Sequence, residues 1–543
     1  MDWGPPRTYT ACVISESTLL GALRRYWGFD SFRPLQKSIV RSLVEGRDTC
    51  VVMPTGGGKS LCYQLPAALL AKQTAIVISP LIALMQDQVA QLGQMGISAA
   101  LLNSSLKANE QSRIMRDASE GAYRLLYLSP ERLARADTAA WLKSIPISFF
   151  AIDEAHCISE WGHEFRPEYR QLSSLRAHFP DRPIAAFTAS ATQRVRHDIV
   201  EQLRLRNAHK CIASFHRPNL RYVVKQCDAR TQSGLLVKAL RSYAERNVIV
   251  YVPTIARVEE TVKFLEEQGI SAIGYHGKMG ADVRKLNQER WMADEVRVLV
   301  GTLAFGLGIN KAAVRAVIHL ALPKSIEQFY QEAGRGGRDG LPADCVLLWQ
   351  KRDAGLLSYF IGQIDDAEEK KRAWERYDEI RGFVESKMCR HLQICVHFGE
   401  NPKWKSCGAC DVCGSEPDWL SLQAKAQPAA PRATTVPSVR QSASGTSQTA
   451  GKAAAASADG AELREILREW RRATAKQQGV PAFVVMHDTS LDELCRVRPR
   501  SLSELLRVHG FGERKVELYG EQIIGELTRF CDSANENKRR LLI

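Results

Sequence analysis

Residues 51–60 read Val-Val-Met-Pro-Thr-Gly-Gly-Gly-Lys-Ser, an apolar run typical of a buried strand, then a glycine-rich turn that opens a helix. In such a turn the backbone amides and the helix N-terminus point at an anion, the lysine reaches a nucleotide's outer phosphates, and the serine hydroxyl binds Mg²⁺. The general form of this phosphate loop begins with glycine, where Met53 stands here. The stretch predicts an α/β domain with a phosphate site, although a glycine-rich turn with a solvated lysine is the alternative. The predicted phosphate-binding residues are Thr55, Gly56, Gly57, Gly58, Lys59 and Ser60.

The size and charge of the chain suggest several domains and a polyanionic partner. Its 543 residues suffice for roughly three to four domains. The formal net charge of +14 favours nucleic acid over a membrane, with a generically basic protein as the alternative. The first residues lack the pattern of a signal peptide, and no stretch approaches the ~18 apolar residues of a membrane span. We therefore expect a cytoplasmic protein without a membrane partner, whose cysteines are mostly reduced.

Two series of short apolar runs alternate with helical patterns up to about residue 355. The runs lie at residues 49–53, 75–79, 125–129, 149–152 and 184–188, and then at 248–252, 271–275, 296–301, 316–320 and 345–349. Unbroken apolar runs suit parallel strands covered by helices on both faces, so we expect two doubly wound α/β domains with a nucleotide site between them. The predicted units are two α/β domains (15–205 and 206–355), a helical zinc-binding module (356–418), a flexible linker (419–460) and a small helical domain (461–535).

Acidic and basic residues with the chemistry of phosphoryl transfer follow two of these runs. Asp153 closes the run at 149–152, where a carboxylate can hold Mg²⁺ together with Ser60, and Glu154 can orient and deprotonate the attacking water. Arg335 and Arg338 lie in a glycine-rich segment of the second domain, from which a guanidinium can reach a γ-phosphate held by the first. Alone, each pattern is also consistent with an exposed loop.

Five cysteines crowd between residues 389 and 413. Cys407, Cys410 and Cys413 have the paired short spacing of a tetrahedral zinc site in a reduced compartment. Cys389 is the favoured fourth ligand, and a closed shell of four sulfurs predicts a structural role. The competitors for that fourth position are Cys395, His391 and His397.

Asp-Glu-Ala-His at 153–156, the phosphate loop at 55–60 and Gln-x-x-Gly-Arg-x-Gly-Arg at 331–338 together resemble superfamily-2 helicases, and more narrowly RecQ-type DNA helicases. The resemblance covers residues 15–415 and resumes over 461–530. It implies two RecA-like domains that close on Mg-ATP and move 3′ to 5′ along single-stranded DNA, unwinding tailed or forked duplexes in DNA repair and recombination. It also implies that Met53 is the helicase form of the loop, that Arg338 is the better candidate for the arginine finger, and that the zinc is structural.

The same resemblance assigns nucleotide and DNA roles to aromatic residues. Phe29 would stack on adenine, with Arg33 and Gln36 binding it. Trp161 and Phe165 would stack on unpaired bases and couple DNA to hydrolysis. The remaining resembling elements are Arg166 as a phosphate contact and the segments 79–88, 188–192 and 302–310 along the DNA backbone.

The C-terminal region resembles the HRDC domain, and a winged-helix domain common in the family is not expected here. Residues 414–460 are few and linker-like, so the predicted motor lacks a known duplex-opening element. The alternatives are a DNA translocase or RNA helicase with weak unwinding, or a catalytically silent nucleic-acid-binding scaffold; protein partners through HRDC or the linker are open. A basic face, or equally a solvated helix surface, is formed by Arg496, Arg498, Arg500, Arg514 and Lys515.

Overall fold

The computed structural model describes residues 14–103, 106–162, 164–302, 311–420 and 449–540. Of the predicted DNA segment 302–310 only Thr302 therefore lies within the described residues, and residues 421–448 of the predicted linker lie outside them. Among the described helices, none is both long and apolar enough to cross a membrane.

The first α/β domain is built on a seven-stranded parallel sheet. Its strands are β1 (Thr49–Val52), β2 (Thr74–Ile78), β3 (Ala99–Leu102), β4 (Leu125–Leu128), β5 (Ile147–Ile152), β6 (Ile184–Thr188) and β7 (His209–Ile212). The strand order is β3-β4-β2-β5-β6-β1-β7, and Val52 is in register with both Thr188 and Ile212. Its helices are α1 (Glu16–Trp27), α2 (Gln36–Val44), α3 (Lys59–Leu69), α4 (Ile82–Gln94), α5 (Ala108–Ser119), α6 (Pro130–Leu133), α7 (Ala136–Leu142), α8 (Pro167–Arg170), α9 (Leu175–His178) and α10 (Gln193–Gln202).

The second α/β domain has a six-stranded parallel sheet. Its strands are β8 (Leu220–Gln226), β9 (Asn247–Tyr251), β10 (Ala272–Tyr275), β11 (Val298–Gly301), β12 (Val314–His319) and β13 (Ala343–Trp349), in the order β10-β11-β9-β12-β13-β8. Its helices are α11 (Ala229–Ser242), α12 (Ile255–Glu267), α13 (Ala281–Met292) and α14 (Ile326–Ala333). The predicted fold class, two doubly wound parallel sheets, is confirmed.

Two helical units complete the described chain. The zinc module contains α15 (Lys351–Gly362), α16 (Ala367–Glu385) and α17 (Arg390–His397). The C-terminal domain contains α18 (Thr449–Gln478), α19 (Ala482–Val485), α20 (Asp488–Val497), α21 (Leu502–Leu505) and α22 (Glu513–Arg540).

Three of the predicted domain boundaries differ from those in the structure. The strand β7 pairs with β1, so the first sheet extends beyond the predicted limit at residue 205. Trp419 and Leu420, predicted to begin the linker, are buried against the apolar face of the second sheet. The helix α18 begins at Thr449 rather than at residue 461. Burial of two large apolar side chains explains the second shift, since each contributes about 1.5–3 kcal/mol by leaving water.

The apolar core runs continuously from the first domain into the zinc module. Ile152 of β5, Phe329 of α14 and Phe383 of α16 belong to one buried cluster, which therefore contains side chains from all three units. The two sheets and the zinc module thus share a core at the side where the predicted site residues meet.

Candidate functional site

The phosphate loop connects β1 to α3 through two glycines that no other residue replaces without strain. Gly56 and Gly58 have φ angles of +84° and +81°, in the left-handed region. Gly58 precedes the first residue of α3 and gives that helix no side-chain cap, which leaves its N-terminal amides available to an anion. Lys59 Nζ donates to the carbonyl of Met53 at 3.0 Å across the loop.

Two carboxylates lie beside this lysine at the end of β5. The pKa of Asp153 is raised to about 7, mainly by burial and next by the charge of Glu154, while the charge of Lys59 lowers it. Glu154 has a left-handed φ of +47°, and its amide donates to Asp153 Oδ1 at 3.0 Å. Burial lowers the pKa of Lys59, which both carboxylates counter. A divalent cation held by Asp153 and Ser60 suits this pair of carboxylates, because the ion would favour the ionised form of Asp153.

The two predicted arginines approach the phosphate loop from the second domain. A Cβ placed on Gly56 would lie 3.4 Å from Arg338 Cγ, so the Arg338 side chain packs directly on the loop. Arg335 is 8% exposed and lies beside Tyr251. Burial first, and then Arg335, lower the pKa of Arg338 to about 9. Two buried guanidiniums that repel each other beside a phosphate loop form a site that an anion would stabilise.

Arg217, which the sequence analysis missed, joins the same two segments. Its Nη1 donates to the carbonyl of Thr55 at 3.0 Å, and its Nη2 donates to the carbonyls of Gly336 and Gly337 at 3.4 and 3.3 Å. The residue precedes a proline in the loop between the sheets, and nothing in that pattern distinguishes it from an ordinary loop arginine. Only the folded chain brings it between the phosphate loop and the arginine segment.

The residues assigned to adenine also contact the phosphate loop. Arg33 Nη1 donates to the Gly56 carbonyl at 2.6 Å, and Gln36 Nε2 donates to the Gly57 and Gly58 carbonyls at 3.3 Å. The amide of Arg33 donates to Gln36 Oε1 at 2.9 Å, which fixes the glutamine. Base recognition by Arg33 and Gln36 stays a prediction, because their side chains bind loop carbonyls in this structure.

The aromatic-rich loop follows the two carboxylates directly and is held by arginines. Arg194 Cζ lies 3.0 Å from the centroid of the Trp161 ring, and Arg372 of the zinc module lies 5.4 Å from it. Arg170 lies 5.7 Å from the Phe165 ring. The amide of Arg166 donates to the Cys157 carbonyl at 2.9 Å, at the start of α8. Cationic groups over half-buried rings make a surface on which bases and phosphates can both bind.

The four predicted zinc ligands converge. The sulfur atoms of Cys389, Cys407, Cys410 and Cys413 all lie within 4.8 Å of one another, with Cys407–Cys413 at 3.9 Å and Cys389–Cys410 at 4.0 Å. A tetrahedral Zn²⁺ with bonds of about 2.3 Å requires sulfur separations of roughly 3.8 Å, so the cluster fits this ion.

The competitors for the zinc have other partners. Cys395 lies outside the four-sulfur cluster, and His397 Nε2 lies 2.8 Å from a Glu327 carboxylate oxygen. His391 Nδ1 lies 3.1 Å from Cys407 Sγ, and its Nε2 lies 3.1 Å from the carbonyl of Arg217. One imidazole therefore links the cluster to the arginine that binds the phosphate loop.

The basic face predicted for the C-terminal domain is not continuous. Lys515 is 5% exposed, and burial lowers its pKa to about 8, so it does not belong to a basic surface. Arg496 and Arg514 are paired with Glu493 and Glu517. The prediction is wrong for Lys515, because the amphipathic period of α22 turns that position toward the core.

Four family models match this chain in succession. They are described as DEAD/DEAH box helicase (residues 33–199), helicase conserved C-terminal domain (232–340), RecQ zinc-binding (351–414) and HRDC domain (461–527).

Curated proteins and solved structures agree with these matches. The chain is 41% identical over 405 residues to the ATP-dependent DNA helicase RecQ of Haemophilus influenzae, covering 75% of this chain but only 65% of that protein. It is 33% identical over 583 residues to the ATP-dependent DNA helicase RecQ of Bacillus subtilis, covering 94% and 98%. A structure of the DUF1998 helicase MrfA bound to DNA and AMPPNP has a TM-score of 0.52 at 20% identity, over 66% of this chain and 55% of that one, which shows a shared fold.

Proposed function

Because this chain belongs to the RecQ family of helicases, we propose that it is an ATP-dependent DNA helicase that moves 3′ to 5′ on single-stranded DNA and unwinds tailed or forked duplexes. The single observation that carries the proposal is the packing of Arg338, from the second domain, on Gly56 of the phosphate loop in the first. A nucleotide site completed from both domains makes hydrolysis depend on their closure.

Each residue of the cleft is proposed to have a distinct role in phosphoryl transfer. The backbone from Thr55 to Gly58 and the Lys59 ammonium bind the phosphates, and Ser60 and Asp153 would hold Mg²⁺, which neutralises charge on the phosphate oxygens. Glu154 accepts a proton from the attacking water as the new P–O bond forms and ADP leaves. Arg338, with Arg335 behind it, stabilises the negative charge on the transferring group. Phe29, Arg33 and Gln36 are proposed to recognise adenine.

Coupling to DNA runs through the loop that begins at Glu154. Trp161 lies seven residues beyond Glu154, the proposed general base. Its ring makes cation–π contacts with Arg194 of the first domain and Arg372 of the zinc module. A base that stacks on Trp161 or Phe165, with its phosphate on Arg166, would compete with those arginines and shift the loop. The movement would reach Glu154 through a few residues of backbone. We extend the proposal to a cytoplasmic location, associated with the nucleoid if the host is bacterial, and to a role in DNA repair and recombination.

A second candidate function is translocation or RNA unwinding with little opening of DNA duplexes. Only residues 415–460 separate the zinc-binding match from the HRDC match, which is little room for a winged-helix domain between them. A motor without that duplex-opening element favours translocation over unwinding. Within the described residues, both sheets belong to the two α/β domains. Against a catalytically silent scaffold, the chain retains every side chain that is proposed to act in catalysis.

One experiment separates these functions. Purified chain is incubated with ATP and with 3′-tailed DNA, 5′-tailed DNA or a 3′-tailed RNA duplex, while strand release and phosphate release are measured. The proposal predicts unwinding of the 3′-tailed DNA and ATPase stimulation by single-stranded DNA, both abolished in Lys59→Ala. The matched control is Lys143→Ala, an exposed lysine of the same domain. ATPase stimulation without strand release favours the translocase, better activation by RNA favours the RNA helicase, and DNA binding without hydrolysis favours the scaffold.

A further inference from the structure

The C-terminal helical domain is seated on the first α/β domain beside the nucleotide site. A Cβ placed on Gly28 would lie 2.6 Å from the backbone of Phe511, so the two backbones touch at the end of α1. Gly512 approaches the backbone of α1 equally closely, and Arg25 forms an ion pair of 3.4 Å with Glu513. The turn between α21 and α22 therefore fits α1 at positions that tolerate no side chain.

The same domain is anchored on the second α/β domain. Phe483 and Val484 of α19 are buried in one cluster with Trp291 of α13. Arg468 of α18 forms an ion pair with Asp294, whose side chain is 2% exposed. Lys311 of the second domain also pairs with Asp294, at 2.6 Å, so Arg468 joins a buried group of charges across the two domains.

His509 lies in the turn that meets α1 and stacks on Phe29. The ring centroids are 4.3 Å apart and the planes are inclined by 22°. Burial lowers the pKa of His509, Glu493 raises it, and Arg33 lowers it further, so the imidazole also lies within reach of the Arg33 charge. The His509 amide donates to Glu493 Oε2 at 2.9 Å, and the next residue, Gly510, has a φ of +87°, so the C-terminal domain itself sets the shape of this turn.

We propose that His509 occupies the stacking position of a nucleotide base, so that the docked C-terminal domain and ATP compete for Phe29. The inference rests on the proposed function, which assigns Phe29 and Arg33 to adenine. A planar imidazole and an adenine ring cannot share one face of Phe29, and parallel ring contacts change an equilibrium about twofold to tenfold. A chain with the domain docked is unable to stack the base, so the apparent ATP affinity falls in proportion to the docked fraction. The surface around Phe29 is thus a docking site for the chain's own C-terminal domain.

The test uses the full-length chain and compares ATP with inorganic tripolyphosphate, which offers phosphates without a base. His509→Ala removes the competing ring at an exposed position, where a small side chain should be tolerated. Gly512→Ala introduces a Cβ that overlaps the backbone of α1 and undocks the turn by another route. Arg529→Ala, an exposed substitution on α22, is the matched control.

The expected result is a twofold to tenfold lower KM for ATP in His509→Ala and Gly512→Ala, with the inhibition constant of tripolyphosphate unchanged and Arg529→Ala like the unmodified chain. An unchanged or higher KM in both variants would overturn the inference, since His509 would then be indifferent to ATP or would help to bind it. An equal shift for ATP and tripolyphosphate would overturn it as well, because the effect would lie at the phosphates. A chain that hydrolyses no ATP in any form would instead contradict the proposed function.

Discussion

Replacing Arg217 by alanine removes the hydrogen bond that joins the second domain to the carbonyl of Thr55 in the phosphate loop. At 3.0 Å and partly buried, a bond from a charged donor contributes roughly 1.5–3 kcal/mol. The bonds to Gly336 and Gly337 are longer and connect segments of one domain, so they add less. We assign about 1.5–2 kcal/mol of this free energy to the bond between the domains. Because that bond is proposed to stabilise the closed arrangement in which hydrolysis occurs, its loss corresponds to a decrease of about tenfold to thirtyfold in kcat.

The assay is steady-state ATP hydrolysis with saturating single-stranded DNA. Because Arg217 binds protein carbonyls rather than nucleotide, kcat and kcat/KM should fall together while KM stays within about twofold. Arg217→Lys keeps the charge but lacks the planar fork, so it should recover part of the rate. Arg230→Ala, an exposed arginine of the same domain, is the matched control. A raised KM with unchanged kcat would refute the reasoning, because Arg217 would then bind ATP, and an unchanged kcat would show that the bond does not support closure.

Three further predictions use other parts of the molecule. Trp161→Ala should reduce the ratio of ATPase rates with and without single-stranded DNA at least tenfold, since the ring and its two arginines form the proposed base-binding surface; an unchanged ratio would place coupling elsewhere. Cys410→Ser should lose the zinc, measured as metal released to a colorimetric chelator, because one of four thiolates is removed; full retention would exclude Cys410 as a ligand. Lys515→Met should stabilise the C-terminal domain at pH 7 by about 2–3 kcal/mol, measured by urea unfolding. Burial lowers the pKa of Lys515 in the folded chain from its ordinary 10.5 to about 8, so the penalty for burying the charge is present below pH 8 and fades as the pH rises to 10.5; equal gains at pH 7 and pH 10.5 would contradict this cause.

The sequence predicted the central strands and missed strands at the edges of the sheets. β3, β7 and β8 lie at three of the four sheet edges, and each has partly exposed residues among the buried ones. An edge strand faces water along one side and carries polar residues there, so it lacks the unbroken apolar run of a central strand. The strands on which Lys59, Asp153 and Glu154 depend are central, which is why their neighbourhood was predictable from residue order alone.

The contacts that sequence reasoning missed share another property. Arg217 and His391 contact the backbone carbonyls of Thr55 and Arg217, which lie 162 and 174 positions away, and any arginine or histidine could make the same contacts. His509 stacks on Phe29, 480 positions earlier, and nothing in the sequence around His509 indicates that contact. Such contacts depend on how whole domains meet, whereas the phosphate loop and the four cysteines are local patterns with their own chemistry.

The contacts of the C-terminal domain tie its position to the domain closure that the proposed function requires. The turn around Gly512 contacts α1 and Tyr519 donates to Gln94 of α4, so two sets of contacts hold it on the first α/β domain. On the second α/β domain it is held by the ion pair of Arg468 with Asp294. A rigid helical domain cannot keep all of these contacts if the cleft between the α/β domains changes width. Binding of ATP at Phe29 would remove the ring stack there and weaken the hold of the first domain, which favours movement of the C-terminal domain with the second α/β domain and with the arginines that complete the nucleotide site.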